Sequence, residues 1–179
     1  MKTNWIVVAT LLMILALMNH AIWQKQQHLS QGEEVILKLT PVDPRSMMQG
    51  DYMTLDFEVG QQIRRALFTK MGRTEEDFSF TRLAAQDGYV VVEQDESGVH
   101  QYVGLFKGQP LGPGQRRLQF RARDYYVKFA TNAYFFPEGQ EPIFRNARYG
   151  LFKLNDKGEV LLTNLLDEDL TIIAVSKGS

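Results

Sequence analysis

The sequence predicts a β-rich α+β domain of mainly antiparallel strands and short helices, preceded by one N-terminal transmembrane helix. Three observations carry this: an uncharged run from Trp5 to Trp23, stretches in which apolar and polar residues alternate, and two glycine-ended polar turns between β-branched runs. With 179 residues, 44% of them hydrophobic and 23% charged, the chain can bury a substantial core and lacks the composition of a disordered one. The formal net charge of -1 gives no overall pull toward nucleic acid. The absence of cysteine excludes disulfides, thiolate metal sites and cysteine nucleophiles.

The first element is WIVVATLLMILALMNHAIW, Trp5 to Trp23, which as a helix is just long enough to cross roughly 30 Å of hydrocarbon. Trp5 and Trp23 fall where interfacial tryptophans are favoured. Lys2 and the α-amino group place the N-terminus in the cytoplasm, and Lys25 weakens that bias. A cleaved signal peptide is the competing reading, but Asn19 occupies the -3 position relative to Ala21, where a small residue is wanted. Either reading exports residues 25–179. The expected plan is a cytoplasmic stretch 1–4, a signal anchor 5–23, a polar tether 24–32 and an exported domain 33–176.

Within that domain EEVILKL, Glu33 to Leu39, reads as a strand with Val35, Leu37 and Leu39 on one face. PVDPRSMMQGDY reads as a short helix followed by a corner: Asp43 is a good N-cap, Pro44 suits the first helical position, Gly50 suits the left-handed position after the helix, and Asp51 bonds within the turn. YMTLDFEV then alternates Met53, Leu55, Phe57 and Val59 against polar residues, the period of a half-buried strand. Ile63, Leu67 and Met71 make the apolar stripe of a short helix from Gly60, and Thr74 is a candidate cap for another. Next comes a hairpin turned by Asp95-Glu96-Ser97-Gly98. RRLQFRARDYYVKF reads as one strand with an arginine face. A brief helix from Pro142, a hairpin turned by Asn155-Asp156-Lys157-Gly158 and a last strand in DLTIIAVSK complete the chain.

No set of residues predicts catalysis. Ser46 before Met47, upstream of Gly50-Asp51, invites comparison with lysine-dependent serine proteases, but Ser46 stands too close to Gly50 and no lysine occurs after it until Lys70. His20, His28 and His100 have no metal-ligand spacing, so no metal or cofactor is expected. Asp56 and Glu58 read as solvated charges on a strand. Charge is uneven, however: Arg116, Arg117, Arg121, Arg123 and Lys128 form a basic segment, while Glu33, Glu34, Asp43, Asp51, Asp56 and Glu58 cluster near the start of the domain. Three readings stay open for the arginines: an exposed sheet face, an Arg-carboxylate network within the chain, or a surface for an acidic partner.

GDYMTLDFEV, Gly50 to Val59, resembles the signature of the bacterial GDYXXLXYXV protein family, matching at Gly50, Asp51, Tyr52, Leu55 and Val59, with Phe57 in place of its tyrosine. PVDPR and YFFPEG, Tyr134 to Gly139, are similar to further stretches of that family. The resemblance implies a bacterial membrane-anchored protein of unknown biochemical function that accompanies polytopic membrane proteins, and it supplies no catalytic residues. The expectation is therefore a non-enzymatic accessory or interaction protein in the cytoplasmic (inner) membrane, N-terminus inside, beside an integral membrane partner. Asp43, Arg45, Asp51, Tyr52, Arg121 and Arg123 are its candidate ligand or partner surface; Pro44, Gly50, Leu55, Phe57 and Val59 are structural. The alternatives are an envelope module that binds glycan, lipid or peptide near Tyr52, Arg45, Tyr125, Tyr126, Tyr134 and Phe135, and a carboxylate-based hydrolase.

Overall fold

Two units make up the chain in the computed structural model, Met1–Gly32 and Glu33–Ser179. The structure describes residues 2–40, 52–72, 82–131, 133–136 and 140–174. The first unit is the helix α1, Lys2–Gln31. Its side chains from Trp5 to Gln26 are all exposed. The polar side chains in the apolar run turn back onto the helix: Thr10 Oγ1 donates to the Ile6 carbonyl at 2.9 Å and Asn19 Nδ2 to the Leu15 carbonyl at 3.0 Å. Such bonds lower the cost of placing these groups in hydrocarbon. Helix continues through residues 24–31, the stretch expected to be a tether.

The second unit holds nine strands and two helices among the described residues. In chain order they are β1 (Glu33–Lys38), β2 (Tyr52–Thr54), α2 (Glu58–Lys70), β3 (Leu83–Gln94), β4 (His100–Leu105), β5 (Gln115–Asp124), β6 (Tyr126–Lys128), β7 (Ala133–Phe135), α3 (Glu141–Phe144), β8 (Tyr149–Leu154) and β9 (Val160–Leu166). All strand pairs are antiparallel and form three sheets, β1-β8-β9, β2-β7 and β4-β3-β5-β6. This is the β-rich α+β architecture that the alternation and turns imply.

The two long hairpins owe their turns to the same chemistry. Asp95 Oδ1 accepts the N–H groups of Ser97 and Val99, and Asn155 Oδ1 accepts those of Lys157 and Glu159. Each turn then closes on a glycine in left-handed backbone, Gly98 at φ 88° and Gly158 at φ 87°. Four side-chain and backbone donors converge on Asp95, led by the Ser97 hydroxyl and the Gln101 amide, and they hold its pKa down at about 2. Gly158 has a second reason to be glycine: a Cβ there would lie 2.9 Å from the Arg117 carbonyl oxygen and 3.1 Å from the Tyr89 ring. The β8–β9 turn comes this close because the Gln119 N–H donates to the Gly158 carbonyl at 2.7 Å, tying it to β5.

A second tie joins the sheets elsewhere. Ile36 of β1 forms a parallel bridge with Val99, and its N–H donates to Nδ1 of the buried His100 at 3.3 Å. Arg116 Nε reaches Glu33 Oε2 at 2.6 Å across the same junction, so the basic segment and the acidic opening segment meet there. One core runs beneath all three sheets and α2, built from Val35, Leu37, Met53, Leu55, Phe57, Ile63, Val90, Leu118, Phe129 and Phe152 among others.

Four local expectations change. The alternation at Met53, Leu55, Phe57 and Val59 does send all four inward, but β2 ends at Thr54 and α2 begins at Glu58 with Phe57 as its N-cap, whose N–H the Asp56 carboxylate accepts. The buried residues of α2 are Val59, Gly60, Ile63, Leu67 and Phe68, and Met71 lies outside them at the exposed C-cap. RRLQFRARDYYVKF is two strands, since Arg123 pairs with Tyr126 across a turn that puts Asp124 at φ 51°. Among its described residues the expected last strand shows a single bridge, Leu166 to Ile172, after a turn in which Asp167 Oδ1 accepts from Asp169 and Thr171. The helix expected from Asp43 to Gly50 and the one capped by Thr74 lie outside the described residues.

Burial holds the His100 pKa below its ordinary value, with the Arg116 cation acting in the same sense and the Glu33 and Asp95 carboxylates acting against it. Only the neutral ring leaves Nδ1 free to accept from Ile36. The unfolded chain therefore binds a proton at His100 more readily than the folded one, and stability falls as pH drops through about 6.5 toward the lower folded value, at no more than about 1.4 kcal/mol per pH unit. Urea unfolding of the full chain in detergent between pH 7.5 and 5.5 should show this slope, and His100→Asn, whose amide oxygen accepts without titrating, should flatten it.

Candidate functional site

The described part of the family-like stretch places Tyr52 opposite Phe135, Met53 opposite Tyr134 and Thr54 opposite Ala133 in the β2–β7 ribbon. Leu55, Phe57 and Val59 are buried. The Phe57 ring packs edge-on against Phe129 at 6.0 Å and Phe152 at 5.3 Å. YFFPEG contributes to the same interior: Tyr134 packs at 5.3 Å on Phe144 of α3, and Phe136 stacks on that ring at 5.1 Å. Asp43, Pro44, Arg45, Gly50 and Asp51 lie outside the described residues.

Arg121 and Arg123 lie two residues apart on the outer face of β5, alternating with buried Leu118, Phe120 and Ala122. Arg123 is engaged within the chain: its guanidinium meets Asp87 at 2.7 Å and donates to the Gln86 and Ala122 carbonyls. Arg117 lies over the Tyr89 ring at 4.6 Å and near Phe106 at 5.4 Å, a cation–π arrangement. Arg121 is exposed and stands directly opposite Lys128 of β6. The arginine strand thus divides its cations between internal partners and an open pair.

A different set of residues forms a concave site. Asp56, Gly60, Gln61 and Arg64, from the first two turns of α2 and the residues before it, face Tyr125, Tyr126 and Val127 across a cavity of about 390 Å³. The core side of α2 carries Val59, Ile63 and Leu67, and Gly60 and Arg64 line the flank beside it. Gly60 lies close to β6: a Cβ there would make ordinary van der Waals contact with Asp56 Oδ1 and the Val127 carbonyl oxygen, both at 3.7 Å. Asp56 accepts the Phe57 N–H at 2.9 Å through Oδ1 and the Gln61 amide at 3.2 Å through Oδ2. Arg64 lies 5.6 Å over the Phe68 ring, and burial pushes its pKa down, while Asp56 and the Tyr126 and Tyr125 hydroxyls oppose that shift. It stays cationic at neutral pH. Among the described residues no three His, Asp or Glu side chains gather in a way that could hold a metal ion.

The sequence points to Tyr125 and Tyr126 for a groove and to Asp56 as a polar-face carboxylate, but not to Gln61 or Arg64. The i, i+4 spacing of Arg64 from Gly60 and its i, i+3 spacing from Gln61 are the available signal, hidden because the alternation makes the start of α2 look like strand. Tyr134 belongs to the interior with Phe144, and Phe135 is 73% exposed on β7, away from the cavity lining.

Among the described residues one helix, at the N-terminus, is long and apolar enough to cross a membrane; with the β-rich unit that follows it, this defines a candidate membrane protein. The pattern of the GDYXXLXY proteins matches residues 14–165, and the chain belongs to that family. No curated protein and no solved structure matches it.

Asp56→Ala should cost about 0.5–1.5 kcal/mol of stability by removing the acceptor of the Phe57 N–H and the Gln61 amide, and Asp56→Asn, which keeps an acceptor for the Phe57 N–H, should recover part of it, as read by urea unfolding.

Proposed function

We propose that this protein is a membrane-anchored, non-enzymatic accessory domain that works outside the cytoplasm beside an integral membrane protein. The observation that carries the reading is α1: the 27 residues Trp5–Gln31 are long and apolar enough to cross a bilayer, and their large apolar side chains are exposed. The same helix meets the requirements of a signal sequence, but Asn19 makes a poor cleavage region and the helix continues beyond it without a break. Lys2 favours an N-terminus inside. A single residue, Gly32, separates α1 from β1, so an intact anchor keeps the domain near the membrane and raises its local concentration at a membrane partner.

The partner surface is the outer face of β5 and β6. Like charges directly opposite each other on antiparallel strands are destabilising, and the Arg121–Lys128 pair retains that arrangement on an exposed face. An acidic segment of a partner removes the repulsion.

Fractionation of cells should return the full-length mass in the membrane pellet after alkaline extraction, with the domain open to protease added outside the cytoplasmic membrane. A photo-crosslinker at position 121 should capture an integral membrane protein, and the double reversal Arg121→Glu, Lys128→Glu should abolish its recovery without lowering the Tm. A shortened soluble form, or recovery unaffected by the reversal, contradicts the proposal.

A further inference from the structure

We infer that the cavity between α2 and β6 is a binding site for one ring of an uncharged sugar. Its volume, about 390 Å³, lies near the lower end of the roughly 300–1,000 Å³ range of small-molecule sites, which suits a molecule of about one ring. The lining carries one carboxylate, Asp56, and one guanidinium, Arg64, whose formal charges cancel, so a neutral molecule is matched there and neither an anion nor a cation is. Five of the seven lining residues, Asp56, Gln61, Arg64, Tyr125 and Tyr126, bring polar side chains, so the neutral occupant is a polar one.

The side chains narrow the class further. Asp56 accepts one bond at each oxygen, from the Phe57 N–H and from the Gln61 amide. An ionised carboxylate has about four acceptor sites, so Asp56 can still take a hydroxyl at either oxygen. Gln61 donates an amide N–H to Asp56 and keeps its carbonyl oxygen as a second acceptor. Arg64, 5.6 Å over the Phe68 ring, is engaged within the chain, and its part is to balance the Asp56 charge. Tyr125 is engaged too, since the Arg82 guanidinium lies 6.0 Å over its ring. Tyr126 is 59% exposed where it lines the cavity, an apolar ring with a hydroxyl at its tip. Acceptors gathered on the α2 wall match a ligand with several O–H donors, and the exposed ring on the β6 wall matches an apolar C–H face; a sugar ring has both. Neither Arg121 nor Lys128 lines the cavity, so the site is independent of the β5–β6 partner surface and of where the chain is anchored.

The test is isothermal titration and thermal unfolding of the full chain in a detergent without a sugar headgroup. Glucose, galactose and N-acetylglucosamine are the uncharged probes, and glucuronate and glucosamine are their charged counterparts. At least one uncharged sugar should bind saturably and more tightly than both charged ones. Sugars also raise the Tm of proteins in general by exclusion from the surface, so the thermal readout is the difference between the parent chain and Tyr126→Ala at equal sugar concentration. Tyr126→Ala, at an exposed position, should keep the fold and weaken binding at least roughly 10-fold. Tyr126→Phe, which keeps the ring, and Gln61→Leu, which removes the amide, should each weaken it about 2- to 10-fold, the loss of one hydrogen bond. No saturable binding of any uncharged sugar, equal or tighter binding of the charged counterparts, or unchanged binding in the folded Tyr126→Ala variant would overturn the inference.

Discussion

The packing of Phe57 is the contact on which the rest of the second unit depends. Its ring is 1% exposed and meets Phe129 and Phe152 edge-on, and its backbone bridges Leu39 just past β1 and serves as the N-cap of α2. Gly150 makes room for it, because a Cβ there would stand 3.0 Å from the Phe57 ring. One side chain therefore fixes three things at once: the depth of the family stretch in the core, the approach of the β1-β8-β9 sheet, and the point at which strand gives way to helix. Aromatic burial of this size contributes several kcal/mol, more than any exposed ion pair on the surface.

The anchored ring gives α2 its two-sided character. With Phe57 pinned, Val59, Ile63 and Leu67 continue into the core, and Gly60, Gln61 and Arg64 turn toward Tyr125, Tyr126 and Val127. Asp56, next to the pinned residue, closes the helix start and one wall of the cavity with the same carboxylate. The apolar positions thus serve packing, and the chemistry sits on the residues between them. The open cations at Arg121 and Lys128 form a separate surface, on the face of β5 and β6 opposite to Leu118, Ala122 and Val127.

The parts of the fold legible in the sequence are those set by local chemistry. Asp95 to Gly98 and Asn155 to Gly158 announce hairpins because an Asx side chain and a left-handed glycine specify the turn within a few residues. Met53 to Val59 announces a buried face because alternation survives even where the strand stops. The Asp124-Tyr125 turn is hidden, since it carries no glycine and interrupts what otherwise reads as one alternating strand. Leu170, at φ 59°, likewise closes a turn where glycine is the usual occupant, so the end of the sheet reads as a strand. The cavity is only half visible: its two walls are far apart in sequence, and only β5–β6 pairing and the placement of α2 bring them together. Asp56 reads as a solvated charge for that reason.

The most direct test of the central role of Phe57 is the unfolding free energy of Phe57→Ala in the full chain in detergent, compared with the parent chain. If the ring pins strand, sheet and helix together, the variant loses about 3–5 kcal/mol or fails to fold. A loss below about 1 kcal/mol, the scale of an ordinary surface substitution, contradicts it.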